Sequence, residues 1–214
     1  MKFLQKTITI LFIAVSVVSA GVHVIVYDCS GSFIGPNEPE ILLKGSLLKI
    51  NELITSATHN DTIIFFPIRE NSTISSLNQI MLVKEKAKTV FDPTVKQKNT
   101  RLIKSFVRGV LDEINKPYAK RTDIISAINF ASAIAINYSE ANIYIFSDGR
   151  DNVNAELFKR LDNISVFHLF IFHRNSTKQS KLINKWKELY KSLGAKVVKV
   201  YDAQASMTTN IGIQ

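Results

Sequence analysis

Short apolar runs that alternate with amphipathic stretches constrain this chain more than any other feature. Val22-His23-Val24-Ile25-Val26-Tyr27, Asp61-Thr62-Ile63-Ile64-Phe65-Phe66-Pro67, Ala141 to Ser147, Ile164 to Phe172 and Val197 to Tyr201 are apolar nearly throughout, rather than at every second residue. A strand of that composition is buried on both faces, as happens when parallel strands are covered by helices above and below. The intervening segments supply those helices. Glu40 to Ala57 carries Ile41, Leu42, Leu48, Leu53 and Ile54 near helical spacing, and Thr100 to Asn115 places Leu102, Ile103, Phe106, Val110, Leu111 and Ile114 on one side before Pro117 ends it. Further helices are expected over Thr122 to Ile136, from about Val153 to Leu161, and over Lys178 to Leu193, the last closing at Gly194 in a left-handed cap. Ile80-Met81-Leu82-Val83 is expected to form an edge strand antiparallel to the second strand, whose Pro67 is tolerable only near an edge or a strand end. The predicted fold class is α/β: a doubly wound, mostly parallel six-stranded sheet with helices on both faces and one short antiparallel edge strand.

The first twenty residues read as a targeting segment. Lys2 and Lys6 precede an apolar stretch from Ile8 to Val18, and Val18-Ser19-Ala20 puts small residues where a signal peptidase prefers them. That stretch falls short of the roughly 20 residues needed to span a bilayer. The expectation is a signal peptide over residues 1–20, a single domain over 21–214, and a secreted or periplasmic location. The one cysteine, Cys29, has no partner for an internal disulfide and is expected to be a small buried side chain.

Two of the apolar runs end in chemistry. In a doubly wound sheet ligands bind beyond the carboxyl ends of the strands, where strand order reverses. The first run leads into Asp28-Cys29-Ser30-Gly31-Ser32, and alternate side chains of an extended segment leave on the same side, so Asp28, Ser30 and Ser32 can converge. The run ending at Ser147 continues into Asp148-Gly149. Between them Thr122-Asp123-Ile124 opens a helix, with a hydroxyl at or near the N-cap. Such oxygen donors suit Mg²⁺ or Mn²⁺ and suit zinc poorly. Serines and aspartates also crowd strand-to-helix turns for reasons of capping, so the second carboxylate and the threonine carry the weight.

Together, Asp28-Cys29-Ser30-Gly31-Ser32, Thr122-Asp123-Ile124 and Phe146-Ser147-Asp148-Gly149 resemble, in residue type, order and approximate spacing, the metal-ion-dependent adhesion site (MIDAS) of the von Willebrand factor type A (VWA) family. The resemblance implies the same sheet architecture and a Mg²⁺ or Mn²⁺ ion held by Asp28, Ser30, Ser32, Thr122 and Asp148. It implies an adhesion role, in which a coordination position left to solvent captures an acidic residue of a protein partner. It also implies that the serines are direct ligands, while the carboxylates and the threonine exchange between direct and water-mediated contact. One position departs from the pattern. Many members carry glycine immediately before the threonine, whereas this chain has Lys120-Arg121. Positive charge there opposes a cation and favours an acidic ligand, which makes Lys120 and Arg121 the expected partner-binding residues.

Two other classes compete with a binding module. The formal net charge is +9, or +7 without Lys2 and Lys6, with much of it between Lys84 and Arg108 and between Lys178 and Lys199. A non-catalytic scaffold of a periplasmic or surface assembly could act through that basic face, while export makes nucleic acid the least expected partner. A metal-dependent hydrolase would need a base for Ser30 or Ser32, and His23, His59, His168 and His173 sit in no supporting motif. No enzymatic activity is therefore expected. Trp186 and Tyr190, four apart, are expected to face the core.

Overall fold

Strand β1 (Gly21–Asp28) is buried along its whole length, and its side chains divide between two cores. Val22, Val24 and Val26 enter one; Ile25 and Tyr27 enter the other. This two-sided burial is what the continuous apolar runs require. The computed structural model describes residues 21–59, 61–69, 80–85, 93–151 and 160–211. Beyond β1 the elements are α1 (Gly31–Ile34), α2 (Glu40–Ser56), β2 (Thr62–Ile68), β3 (Ile80–Val83) and α3 (Pro93–Ile114). They continue with α4 (Ile124–Ala135), β4 (Glu140–Phe146), β5 (Ile164–Ile171), α5 (Ser176–Ser192), β6 (Val197–Asp202) and α6 (Ala203–Thr208).

The six strands form one sheet in the order β3-β2-β1-β4-β5-β6. All neighbours are parallel except β2 and β3. On one face α2 and α3 bury Leu42, Leu53, Phe106 and Val110 against Ile25, Tyr27, Phe65 and Phe146. On the other, α4 and α5 bury Ile124, Ile128, Trp186 and Tyr190 against Val24, Val26, Ile143 and Ile145. Each such side chain contributes about 1.5–3 kcal/mol by leaving water, so the helices are held by their apolar stripes. Strand order reverses between β1 and β4, which pair Tyr27 with Phe146. Their carboxyl ends therefore open into one crevice.

Several boundaries differ from those read in the sequence, each for a local reason. Helix α3 begins at Pro93, not at Thr100. Its first turns are mostly exposed and polar, so they carry no apolar stripe, yet proline is well suited to a first helical position. Asn99 also ties this part of α3 to the end of β3, its side chain bonding both the N–H and the C=O of Glu85 at 2.9 Å. Pro67 lies within β2 but past the reach of β3, whose pairing stops at Phe65 opposite Ile80. Two short helices, α1 and α6, had no signal in the apolar periodicity. Helix α5 closes as expected: Gly194 has φ +86°, with Gly194 N–H bonded to Lys191 C=O and Ala195 N–H to Tyr190 C=O. The signal segment 1–20 and most of the helix expected from Val153 lie outside the described residues, and Leu161 itself is not helical.

Candidate metal centre

The crevice at the β1–β4 junction gathers four of the five predicted ligands through direct contacts. Asp28 ends β1 fully buried. Its Oδ1 accepts from the Ser30 N–H at 2.8 Å, and the chain turns there into α1, so Ser32 lies in a helix and not on the extended segment expected from the sequence. The two hydroxyls meet at 3.0 Å. Asp148 follows β4, also fully buried, and its Oδ1 accepts from the Arg150 N–H at 2.9 Å. Ser32 bears on Asp148 as a hydrogen-bonding neighbour that lowers its pKa, and the Asp28 charge raises it. Asp28 and Asp148 thus belong to one site, as the parallel pairing of β1 and β4 requires.

Thr122, the fifth, is buried, and its Oγ1 bonds nothing. It lies next to the N-cap of α4, within the reading of the sequence, but does not occupy it. That place belongs to Asp123, whose carboxylate accepts from Ser126 N–H at 3.0 Å. Aspartate and threonine both cap well, and the shift by one residue leaves the threonine hydroxyl unused by the helix. The segment leading to α4 is pinned on both sides of Thr122. Ala119 exchanges backbone bonds with Cys29 and Gly31, and Ile124 N–H donates to Asp151 Oδ1 at 3.0 Å. Lys120 and Arg121 precede Thr122 and are exposed.

Electrostatically the site is short of positive charge. Burial pushes the Asp28 carboxyl above its ordinary range against the pull of hydrogen bonds from Ser30 and Ser147. Burial, reinforced by the Asp28 charge, pushes Asp148 up to about 7. Asp151, in the same loop, is pushed up to about 6, chiefly by burial. One cation already faces the pair: Arg150 Nε lies 3.3 Å from Asp148 Oδ2, without hydrogen-bond geometry. Asp148 Oδ2 and Thr122 Oγ1 are both buried and unbonded. Buried acceptors of that kind are uncommon enough to call for a missing donor or ion.

A hard dication fits this donor set. Two carboxylates supply the charge, three hydroxyls supply neutral oxygens, and no sulfur or imidazole intrudes. Among the described residues no group of three or more His, Cys, Asp or Glu side chains could hold a metal. Any site here therefore depends on Ser30, Ser32 and Thr122 as much as on the two acids. Cys29 points elsewhere: it is buried in the α2–α3 core with its thiol pushed up to about 12 by burial.

Residues to which the sequence assigned no ligand role complete the site. Ser147 Oγ donates to Asp28 Oδ2 at 2.7 Å and accepts from Gly149 N–H at 3.1 Å, linking the two carboxylate loops. Its place in the motif was legible; this bond depends on strand pairing. Strand β5 grips the same loop, with Ser147 N–H bonded to Leu169 C=O and Phe172 N–H to Asp148 C=O, each at 3.2 Å. Trp186 Nε1 donates to Gly149 C=O at 2.9 Å. Two of the histidines are engaged elsewhere: His168 is buried against Trp186 and Tyr190, and His23 is buried beside Asn142 at the opposite end of β1.

Compared with known proteins, the chain matches no protein-family model and no curated protein. The case for a metal centre therefore rests on the residues themselves.

Proposed function

We propose that this chain is a VWA-type binding module that uses a divalent cation, Mg²⁺ or Mn²⁺, to capture an acidic residue of a partner protein. The observation that carries the reading is the buried Asp28 and Asp148 pair with Asp148 Oδ2 unbonded, joined by a buried, unbonded Thr122 Oγ1 on the segment that Ala119 pins to Cys29 and Gly31. Asp28, Ser30, Ser32, Thr122 and Asp148 would hold the ion. When bound, it supplies a coordination position to which a carboxylate oxygen of the partner attaches.

The protein's part is to keep that position open and approachable. Strand pairing and Ser147 hold Asp28 and Asp148 in one crevice, so no large rearrangement is needed to assemble the donors. Lys120 and Arg121, exposed beside the threonine, add attraction for an acidic surface without entering the core. Ser30 Oγ pairs with Ser32 Oγ, and the carboxylate beside Ser32, Asp148, is assigned in this reading to the ion rather than to activating a hydroxyl. A binding role makes better use of these groups than hydrolysis does. Export to a periplasmic or extracellular setting, proposed from the leader-like first twenty residues, would place such a module where partner surfaces meet.

Thermal unfolding with Mg²⁺ against chelator tests the reading. Saturation at about 100 times Kd adds roughly 2.7 kcal/mol, a rise of about 5–10 °C for a domain of this size. Asp148→Asn keeps the shape and removes a charge, so it should fold and lose the Mg²⁺ response together with capture of a glutamate-bearing ligand. A full Mg²⁺ response in that variant, or none in the natural chain, would refute the proposal.

A further inference from the structure

At the other end of β1, away from the crevice, a buried carboxylate holds the first nitrogen of the strand. Gly21 N lies 3.2 Å from Asp61 Oδ1. The other oxygen, Oδ2, accepts from Thr58 N–H at 2.7 Å and from Thr58 Oγ at 2.6 Å. The Asp61 side chain is 9% exposed. Among the described residues only His23 brings a cation-forming nitrogen within 4 Å of it, at 3.9 Å, and burial lowers the pKa of that imidazole. The Lys84 ammonium feels the Asp61 charge but is bonded to Ala57 C=O at 2.8 Å. Asp61 is thus a carboxylate removed from water and held by neutral donors, an arrangement that ordinarily calls for a paired cation.

The sequence marks the same atom for a different reason. Val18-Ser19-Ala20 has the small residues that a signal peptidase prefers, and the bond it would cut is Ala20–Gly21. Cleavage converts the amide nitrogen of Gly21 into an ammonium. A side chain at this position is disfavoured as well: a Cβ on Gly21 would lie 3.1 Å from Asp61 Oδ1 and 3.4 Å from His23 Nε2. Glycine lets the chain start sit against the carboxylate.

We propose that Gly21 is the mature N-terminus and that its α-ammonium is a buried structural cation with Asp61 as its counter-ion. Hydrolysis of the Ala20–Gly21 peptide bond consumes one water, leaves a carboxylate on Ala20, and frees the amine that takes a proton at Gly21. Processing then adds a charge-assisted bond to the central strand and makes the cleaved chain more stable than the uncleaved one. Asp61 and His23 flank Gly21, Glu140 stands opposite it on β4, and Tyr144 and Lys84 feel the same Asp61 charge. Burial of Gly21 disfavours the ammonium, and in this proposal the 3.2 Å contact with Asp61 outweighs it.

The full chain, exported from a host with its leader intact, should give a mature protein whose mass begins at Gly21. A different start, or retention of residues 1–20, overturns the proposal. The reactivity of its α-amine toward acetic anhydride should titrate above the ordinary α-amino range of about 7.7–8.0. At pH 7 acylation should be about tenfold slower than in Asp61→Asn, one pH unit being a factor of ten in free amine. Equal rates in the two proteins overturn it. Should Asp61→Asn fail to fold, a chain with one glycine inserted after Ala20 keeps the carboxylate and moves the amine one residue away. It should react at the ordinary rate and unfold at lower temperature; slow acylation in the inserted chain would also overturn the assignment.

Discussion

The indole N–H of Trp186 is bonded to the carbonyl of Gly149 at 2.9 Å, so a helix on one face of the sheet holds the loop that carries Asp148. Gly149 has φ +83°, and a Cβ there would lie 2.6 Å from Ile171 Cδ1 and 3.0 Å from Trp186 Nε1. The loop thus takes a shape that requires glycine, and the tryptophan is seated against that shape. Gly149→Ala meets both obstacles, about 1–2 kcal/mol for the backbone conformation alone and more for the overlap.

Removing only the donor is the sharper experiment. Trp186→Phe keeps an aromatic ring in the core but leaves the Gly149 carbonyl without its partner, at about 1–3 kcal/mol. Urea unfolding followed by circular dichroism should show that loss, and the Mg²⁺-dependent gain in stability should shrink because Asp148 is less well placed. A variant as stable and as responsive as the natural chain would show that the bond does not hold the loop. Trp186 is also the chain's single tryptophan, so cation binding to the natural protein should change its fluorescence.

Arg150 competes with the ion. Its Nε, 3.3 Å from Asp148 Oδ2, supplies positive charge to the same carboxylate. Arg150→Ala should bind Mg²⁺ more tightly, by roughly tenfold or about 1.4 kcal/mol. Losing the arginine also lets the Asp148 pKa rise further above about 7, so the comparison belongs at about pH 8.5, where a proton competes less. Isothermal titration reads the affinity directly, and weaker binding in the variant would assign Arg150 to support of the site.

Acid sensitivity should trace in part to His168. This side chain is buried, bonded through Nδ1 to Tyr190 Oη at 2.8 Å, and burial pulls its pKa down to about 3. In the unfolded chain it titrates near 6.5. Between those values the unfolded state binds the extra proton, so stability rises with pH and is lost as pH falls below about 6.5. The full slope for one proton is about 1.4 kcal/mol per pH unit. His23 is shifted in the same direction, while the raised Asp28 and Asp148 act oppositely over much of this range. The difference between the natural chain and His168→Phe isolates the one group: the variant should lose less stability on acidification from pH 6.5 to 4, by urea unfolding at each pH. Parallel pH profiles would remove His168 from the account.

Much of the architecture was readable because burial on both faces leaves a compositional trace. Val22 to Tyr27 could be placed in the middle of a parallel sheet from its side chains alone, and the antiparallel edge strand at Ile80–Val83 stands where it was expected. Where burial gives no trace, the reading was incomplete. The first turns of α3 are polar, α1 and α6 are too short for a period, and β5 carries an irregularity between His168 and Ile171, with Phe170 at φ +68°. Ser206 of α6 accepts from the Phe170 N–H at 2.8 Å, a contact that no local pattern announces.

The same division runs through the candidate metal centre. Local sequence determined the identity of the oxygen donors and the place of Asp28 and Asp148 at strand ends, since a buried apolar run leads to each; the position of Ser32 was not set by an extended segment, because the chain turns into α1 after Ser30. Tertiary structure decided that Asp28 and Asp148 share one buried crevice, that Thr122 is left unbonded because Asp123 takes the cap, and that Arg150, Ser147 and Trp186 surround the site. Those relations arise from which strands pair and how deeply their ends are buried, and burial is what raises the carboxylate pKa values and leaves the crevice short of a cation.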